Sequence, residues 1–498
     1  MKNKKKELGQ FFTNSVIAGY MVDLCVDSNT DSLLDPAVGL GIFTQNANNV
    51  NDSIKITACE IDKEIIDQFK KENTYSCNLI EQDYLLTDFE DKYDCIICNP
   101  PYNKFQAIPN RKILISLFKE KYNISINGYS NICVYFLIKS MNELAKGGKC
   151  CYIIPYEFLN TGYGRVIKKY LLKSGMLKQI IKFDNKMSLF DEAITTSCII
   201  LLDNSDLNSV ELINIVDIDE IKTKHYSNKK VVLYSDMDEN EKWLNYFDDN
   251  NEIGDYNYKN LVDLSLFGKV SRGIATGNNN YFALNSSLIT KNKLSKDVCM
   301  PCLTKAPDVE DVVFTNESFE KMVNEDKKIF LFNGQNARTK EDELYIKYGE
   351  KNGVDKAYLT SHRKPWFAIE SKKAAPILIC VFSRDKIKVI RNETQINNLT
   401  TFHALHLLNT DREWANLFFC YLITPTAQKI LRLSRREYGD GLVKFEPNDL
   451  NNAKMLDLTI VNKDDIAKIN RIYNKIKKEN KLVEIDELDS IFNKYIIN

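Results

Sequence analysis

The chain has 498 residues, 44% of them apolar and 27% charged, with a net charge of −1. That is a globular composition too long for one ordinary core, so two domains are expected. The neutral balance gives no global sign of a nucleic-acid partner. Thirteen cysteines scattered through apolar runs read as buried thiols of a cytoplasmic protein, not as a disulfide framework.

The start, MKNKKKELGQFF, is basic, but no apolar run or small-residue cleavage site follows, so no secretory signal is expected. The next ~200 residues alternate strand and helix patterns, as open α/β sheets do. "SLLDPA" (32–37) is a short apolar strand ending at a proline and a glycine-containing turn. "IKITACEID" (54–62) is a second strand ending in acids, with the helical "KEIIDQFKKE" behind it. "YDCIICNPP" (93–101) and "GKCCYIIPY" (148–156) are further strands, and "LKQIIKFD" with "TTSCIILLD" looks like a closing pair. The apolar runs "CIILL" (198–202) and "APILICVF" (375–382) are too short to span a bilayer, so no membrane partner is expected.

The acidic, asparagine-rich stretch 236–255 is the candidate boundary, dividing the chain into domains at 1–240 and 241–498. Beyond it the chain is less periodic, with turns at "RGIATGNNNYF" and "REYGDGL" and helical segments in the last 36 residues. Residues 363–391 concentrate Arg363, Lys364, Lys372, Lys373, Arg384, Lys386, Lys388 and Arg391 against few acids. A basic face of this kind suits a phosphate backbone as well as it suits plain solvent.

Residues 93–105 pose the sharpest choice, because a C-x-x-C pair, Cys95 and Cys98, directly precedes Asn99-Pro100-Pro101-Tyr102. Three apart on a strand, the two thiols point to opposite faces, whereas zinc needs converging ligands. A second pair, Cys299 and Cys302, falls in the other domain, so no metal is expected. The tetrapeptide is different. At the carboxyl end of a strand it sits where open α/β sheets place ligands. Its prolines stiffen the loop, and it offers the Asn99 side-chain carbonyl, the Pro100 main-chain carbonyl and the Tyr102 ring. Two acceptors and an aromatic face suit a planar group bearing an NH₂. Acceptors out of the ring plane would favour a pyramidal nitrogen, which is electrostatic preorganisation and needs no strong base.

Upstream, "LLDPAVGLGIF" (33–43) has the strand–acid–glycine form of a nucleotide-binding loop, in which Gly39 and Gly41 allow close backbone approach. Its spacing is not G-x-G-x-x-G, so no pyrophosphate is implied. Glu60 ends the second strand, where a carboxylate can hold ribose hydroxyls, and Asp83 follows the third.

In this order, "GQFFT" (9–13), "DPAVGLGIF" (35–43), "CEID" (59–62), "QDYLL" (82–86) and "NPPY" (99–102), the chain resembles the gamma-class, TaqI-type adenine amino-methylating DNA methyltransferases across its first ~205 residues. The resemblance implies an α/β, Rossmann-like methyltransferase domain with a mixed sheet, followed by an α+β target-recognition domain. It implies S-adenosylmethionine as methyl donor. Thr13 and the loop of Asp35, Pro36, Ala37, Gly39 and Gly41 would hold the methionine part. Glu60 would bind the ribose and Asp83 the cofactor's adenine amino group, with Ile61 and Phe136 sandwiching that adenine. Asn99, Pro100, Pro101 and Tyr102 would engage the target adenine, and Phe190 stands where the family completes the stack. One departure is Asn14, where the family usually has a proline.

The second half resembles the family's recognition region at "VSRGIATGNNNYF", "SHRKPWFAIE" and "REYGDGLVKFEPNDL". There Arg272, Thr276, Asn278, Lys364, Trp366 and Arg436 are the candidate contacts to double-stranded DNA. The reading is a site-specific adenine methyltransferase that flips its target base. With the motifs beginning near residue 9, a cognate restriction endonuclease is expected as a separate chain. The rivals are an RNA-adenine or protein-glutamine methyltransferase, a cytosine amino methyltransferase, and a non-catalytic sequence-binding subunit.

Overall fold

The computed structural model of the chain describes residues 13–102, 111–126, 131–161, 164–183, 197–247, 258–383, 386–438 and 442–497. The chain forms two compact units, Met1–Glu252 with Tyr438–Gly441, and Ile253–Glu437 with Leu442–Asn498.

The first unit is built on nine strands: β1 (Ser32–Asp35), β2 (Lys55–Cys59), β3 (Cys77–Ile80), β4 (Tyr93–Cys98), β5 (Leu144–Pro155), β6 (Leu177–Phe183), β7 (Ser197–Asp203), β8 (Ser209–Ile215) and β9 (Lys229–Leu233). Their order is β3-β2-β1-β4-β5-β7-β6-β8-β9. From β3 to β5 all pairings are parallel. The expected closing pair is present, with β7 inserted antiparallel between β5 and β6. The sheet is covered on both faces. Along β4 the alternation sends Ile96 and Cys98 into one core and Cys95 and Ile97 into the other. The C-x-x-C thiols therefore diverge, and Cys95 Sγ lies 3.3 Å from Cys25 Sγ on its own side. Among the described residues no His, Cys, Asp and Glu group is arranged to hold a metal ion, and no helix is long and apolar enough to cross a membrane.

Helix α1 (Ser15–Cys25) begins at Asn14, whose side chain accepts the Val16 N–H at 2.9 Å. The residue that departs from the family pattern is thus an N-cap, a role in which asparagine is among the best residues. Helices α2 (Ile42–Val50), α3 (Lys63–Glu72) and α4 (Ile132–Glu143) follow β1, β2 and β4. The expected helix "KEIIDQFKKE" coincides with α3, started by the Asp62 cap on Glu64 N–H. This unit's core runs past residue 240. Trp243 is fully buried, with its indole N–H donating to Asp238 O at 3.0 Å, and Leu244 shares the cluster. Lys168 pins that acidic segment, donating to Glu241 O at 2.5 Å, and burial pushes its amine down to about 8.

In the second unit a five-stranded sheet runs Gly268–Arg272, Phe402–Leu407, Ile377–Cys380, Val389–Asn392, Val313–Phe314, and a four-stranded sheet, Ala283–Leu284, Phe330–Phe332, Cys299–Leu303, Asn397–Asn398, is interleaved with it in sequence. Helices Arg412–Leu422, Pro425–Arg432, Lys463–Glu479 and Ile485–Ile496 close its main core. The unit is α+β.

Candidate methyltransferase site

The order of strands reverses between β1 and β4, and both carry site residues at their carboxyl ends. Asp35 closes β1 and is fully buried. Its Oδ1 accepts the Ala37 N–H at 3.1 Å, while Oδ2 is buried with no partner among the described groups. Burial, and secondarily the charge of Glu60, pushes this carboxyl up to about 8. A carboxyl held this way is poorly solvated, and a cationic ligand group would compensate it.

The two glycines of the loop do different things. Gly41 (φ 87°) caps α2 in the left-handed region, and a Cβ there would approach the Phe69 ring to 2.6 Å and the Tyr75 hydroxyl to 2.8 Å. Gly39 (φ 56°) is also left-handed, but a Cβ on it would meet nothing within 4 Å. The first glycine is required by packing, whereas the second borders open space beside Glu60.

Glu60 is 9% exposed. Its Oε1 accepts the N–H groups of Ile61 (2.9 Å) and Asp62 (3.0 Å), and its Oε2 accepts that of Gly39 (3.2 Å). Three backbone donors thus lock the carboxylate across the β1 and β2 loops. Ile61 beside it is 64% exposed, an apolar side chain presented outward. Asp83 caps the short turn Tyr84–Leu86, its Oδ1 accepting Leu85 N–H at 3.0 Å, and burial raises its carboxyl. Phe136, on α4, is 6% exposed with its ring 5.2 Å from that of Tyr84.

Under this turn lies a polar network that sequence reasoning missed. The Tyr84 hydroxyl donates to Glu143 Oε2 at 2.5 Å and contacts Ser140 Oγ at 2.8 Å, and Ser140 Oγ reaches the Tyr152 hydroxyl at 2.7 Å. Lys139 pairs with Glu143 one helical turn on and lies 4.4 Å from the centre of the Tyr84 ring. Lys139 is 3% exposed. Burial pushes the lysine down and the glutamate up, and their mutual attraction opposes both shifts. The available signal was a lysine and a glutamate four apart in the otherwise apolar "ICVYFLIKSMNE".

Asn99 follows β4 and donates its amide N–H to Thr13 Oγ1 at 3.0 Å, joining residues 86 positions apart. Pro100 is buried. The Tyr102 hydroxyl donates to Ile153 O on β5 at 3.1 Å, fixing the ring, and burial holds that phenol well above the ordinary tyrosine range. Phe190 lies outside the described residues.

The candidates in the second unit are placed differently from one another. Arg272 is ion-paired to Glu446 at 2.6 Å. Against burial, Lys444 and Arg272 hold that carboxylate down to about 2. Thr276 is 2% exposed, and Asn278 caps the turn Asn279–Phe282 through Tyr281 N–H. Trp366 packs against Tyr281 with ring centres 5.6 Å apart, and its N–H donates to Glu350 at 3.2 Å. Lys364 is exposed, without an ion pair among the described residues. Arg436 is described by its backbone alone, in the strand Arg436–Tyr438. The basic face expected over 363–391 is divided: Lys364, Lys373 and Lys386 are exposed, Arg384 lies outside the described residues, and the other four cations turn to the main chain. Arg363, Lys372, Lys388 and Arg391 donate to main-chain carbonyls, with Arg363 reaching Thr276 O at 2.9 Å and Lys372 reaching Arg272 O at 2.9 Å. Their charge satisfies backbone acceptors that irregular loops would otherwise leave unpaired.

A mixed sheet with this strand order, carrying an acidic–glycine loop, a strand-end glutamate and Asn-Pro-Pro-Tyr, is the α/β domain of an S-adenosylmethionine-dependent methyltransferase. Residues 29–190 match the family described as Eco57I restriction-modification methylase, and 240–491 match Type II methyltransferase M.Eco57I, C-terminal domain. The Type II methyltransferase M.AccI of Acinetobacter calcoaceticus is 38% identical over 488 residues, 95% of this chain and 90% of that one. M.XamI of Xanthomonas campestris pv. amaranthicola is 21% identical over 88% of this chain and 83% of its own. The chain belongs to the gamma-class DNA methyltransferases of type II restriction–modification systems. Among solved structures, the Type IIL restriction-modification enzyme MmeI in complex with DNA is similar in fold at a TM-score of 0.60. It is 12% identical, over 99% of this chain and 72% of that one.

Proposed function

We propose that this protein methylates the exocyclic amino group of an adenine in duplex DNA, using S-adenosylmethionine, as the modification enzyme paired with a separate restriction endonuclease in the cytoplasm. The carrying observation is the anchored Asn99-Pro100-Pro101-Tyr102 loop. The Asn99 N–H points at Thr13 Oγ1, which orients the amide so that its carbonyl is the group offered to an incoming NH₂.

S-adenosylmethionine, when bound, supplies an electrophilic methyl on its sulfonium. The residues fit it: Asp35 has a buried unpartnered oxygen suited to the methionine ammonium, and Gly39 borders open space where a side chain would intrude. Glu60 is held ready for ribose hydroxyls, and Asp83 for an adenine amino group. The chemistry at the target needs no strong base. Tyr102 stays a neutral phenol because burial disfavours its anion. Activation falls to the Asn99 and Pro100 carbonyls, which accept the amino hydrogens and favour the pyramidal nitrogen. An adenine in a stacked duplex is out of reach of such a loop, so it is extruded, with the Tyr102 ring offsetting part of that cost. The second unit is assigned the reading of the DNA sequence.

The test is methylation-sensitive sequencing of DNA from cells expressing the protein. N6-methyladenine at one short motif is the expected result. Cytosine modification, or none in a protein that binds S-adenosylmethionine, would refute the reading.

A further inference from the structure

The second unit exposes an aromatic side chain that nothing in its own fold requires. Tyr358 is 79% exposed and Leu359 after it is 41% exposed. They open the one-turn helix Tyr358–Ser361, which is rigidly held. Thr360, fully buried, donates its hydroxyl to Ala357 O at 3.0 Å and also contacts Val354 O. His362 Nδ1 lies 2.6 Å from Tyr358 O, its ring 4.8 Å from the tyrosine ring. Arg363 ties the turn to the glycine-rich loop through Thr276 O and Ala275 O. At the same loop, a Cβ on Gly277 would come within 3.0 Å of Leu359 Cβ.

The exposed charges on either side of the turn are lysines, and the adjoining acid, Asp355, is half-buried. Lys356 and Lys364 bracket the turn and are exposed, and neither forms an ion pair among the described residues. This contrasts with the cations of 363–391 that are spent on main-chain carbonyls. An exposed ring on a rigid turn between two uncommitted lysines loses little conformational entropy on binding, and its charge complements an anionic polymer.

We propose that Tyr358 is a DNA-contacting residue of the recognition unit, its ring packing on a nucleotide while Lys356 and Lys364 meet the flanking phosphates. The proposal rests on the DNA methyltransferase reading and adds the element that touches the duplex. It also reassigns weight within the glycine-rich region, since the buried Thr276 and the capping Asn278 would support this turn from behind.

The experiment uses the full chain, with a fluorescent duplex carrying the motif found by sequencing and a scrambled duplex of equal composition, titrated over a series of salt concentrations. Tyr358→Ala should weaken binding to the motif duplex by about 5- to 150-fold, the span of one base–aromatic contact, and Tyr358→Phe should restore it. Lys356→Ala and Lys364→Ala should each reduce the salt slope by about one on both duplexes. Thermal midpoints and S-adenosylmethionine affinity should not change, because the ring is exposed. Wild-type affinity in Tyr358→Ala, on a protein whose parent binds the motif duplex, would overturn the proposal. A changed oligomeric state with unchanged DNA affinity would also overturn it, marking the ring as a protein contact. If the parent binds neither duplex, the DNA reading itself falls first.

Discussion

Replacing Asp35 by asparagine tests the central electrostatic feature of the cofactor loop. Asp35 is fully buried and its carboxyl is pushed from 3.8 up to about 8, chiefly by burial. Between those values the folded protein holds a proton that the unfolded chain has released. Stability from this group is therefore fully present below the unfolded value and is lost as pH rises through the folded one. One proton contributes a slope of at most about 1.4 kcal/mol per pH unit, so pH 5 to 8 spans up to about 4 kcal/mol. Asparagine can keep the Ala37 N–H bond through its carbonyl, but it puts an NH₂ where Oδ2 has no partner, costing about 1–3 kcal/mol at every pH. The expected result is a wild-type stability that falls relative to Asp35→Asn from pH 5 to 8. Urea transitions of both proteins across that range measure it, because the titrations of groups not coupled to Asp35 cancel in the difference. Parallel curves would mean that Asp35 is solvated or already paired, and the argument for a waiting cation site would fail. In the same variant S-adenosylmethionine affinity should drop by about 1.5–3 kcal/mol, the worth of a hydrogen bond to a charged group.

Asn99→Ala should abolish methyl transfer while leaving cofactor affinity by calorimetry nearly unchanged, since the amide is assigned to the target base; retained activity would sink the mechanism. Glu60→Ala should weaken S-adenosylmethionine binding by about 1.5–3 kcal/mol, and unchanged affinity would reduce the carboxylate to a brace between loops. The two glycines should separate folding from binding. Gly41→Ala adds a Cβ 2.6 Å from the Phe69 ring at φ 87°, so denaturation should report a loss of about 2–4 kcal/mol. Gly39→Ala meets no neighbour and should cost only about 1–2 kcal/mol of stability, with the larger loss in cofactor affinity. Equal stability losses would contradict the packing distinction.

Much of the catalytic half is legible because its signals are local. Short continuous apolar runs mark β1, β2, β4 and β5, acids stand at strand ends, and two prolines follow β4, so loop and strand identify one another without tertiary information. The Thr13–Asn99 bond was only half legible. Both residues stand out by motif, but their contact depends on where α1 enters the sheet. The Lys139–Glu143–Tyr84 network was overlooked because charged residues on a helix normally mark a solvated face, and only the packing of α4 against β5 reverses that. The second half was read least well for a related reason. A run of lysines and arginines in sequence does not reveal whether each charge ends in solvent or on a carbonyl, and four of them end on carbonyls. Trp366 stands out by residue type and motif, yet it is packed among Tyr281 and Phe282, whereas Tyr358 is outside. Aromatic identity gives no clue to which side of the surface a ring occupies.

The hydrogen bonds at the site link regions that the reaction would have to bring into step. Glu60 joins the β2 end to Gly39 in the β1 loop, and Asn99 joins the β4 end to Thr13 ahead of α1. On the proposed assignment of Thr13 to the methionine side and Asn99 to the target side, the bond between them would connect donor and acceptor pockets directly. Thr13 is buried at 8% exposure and Asn99 is half-buried, so the bond is partly shielded from water and its loss costs more than that of a fully exposed one. Removing the threonine hydroxyl would leave an amide N–H to find another acceptor, and the carbonyl aimed at the target nitrogen would rotate with it. On the proposed assignment, a threonine outside the tetrapeptide would act on methyl transfer as a positioning residue, through the orientation of Asn99: Thr13→Val should lower kcat while leaving DNA affinity nearly unchanged, and a wild-type kcat would refute the coupling.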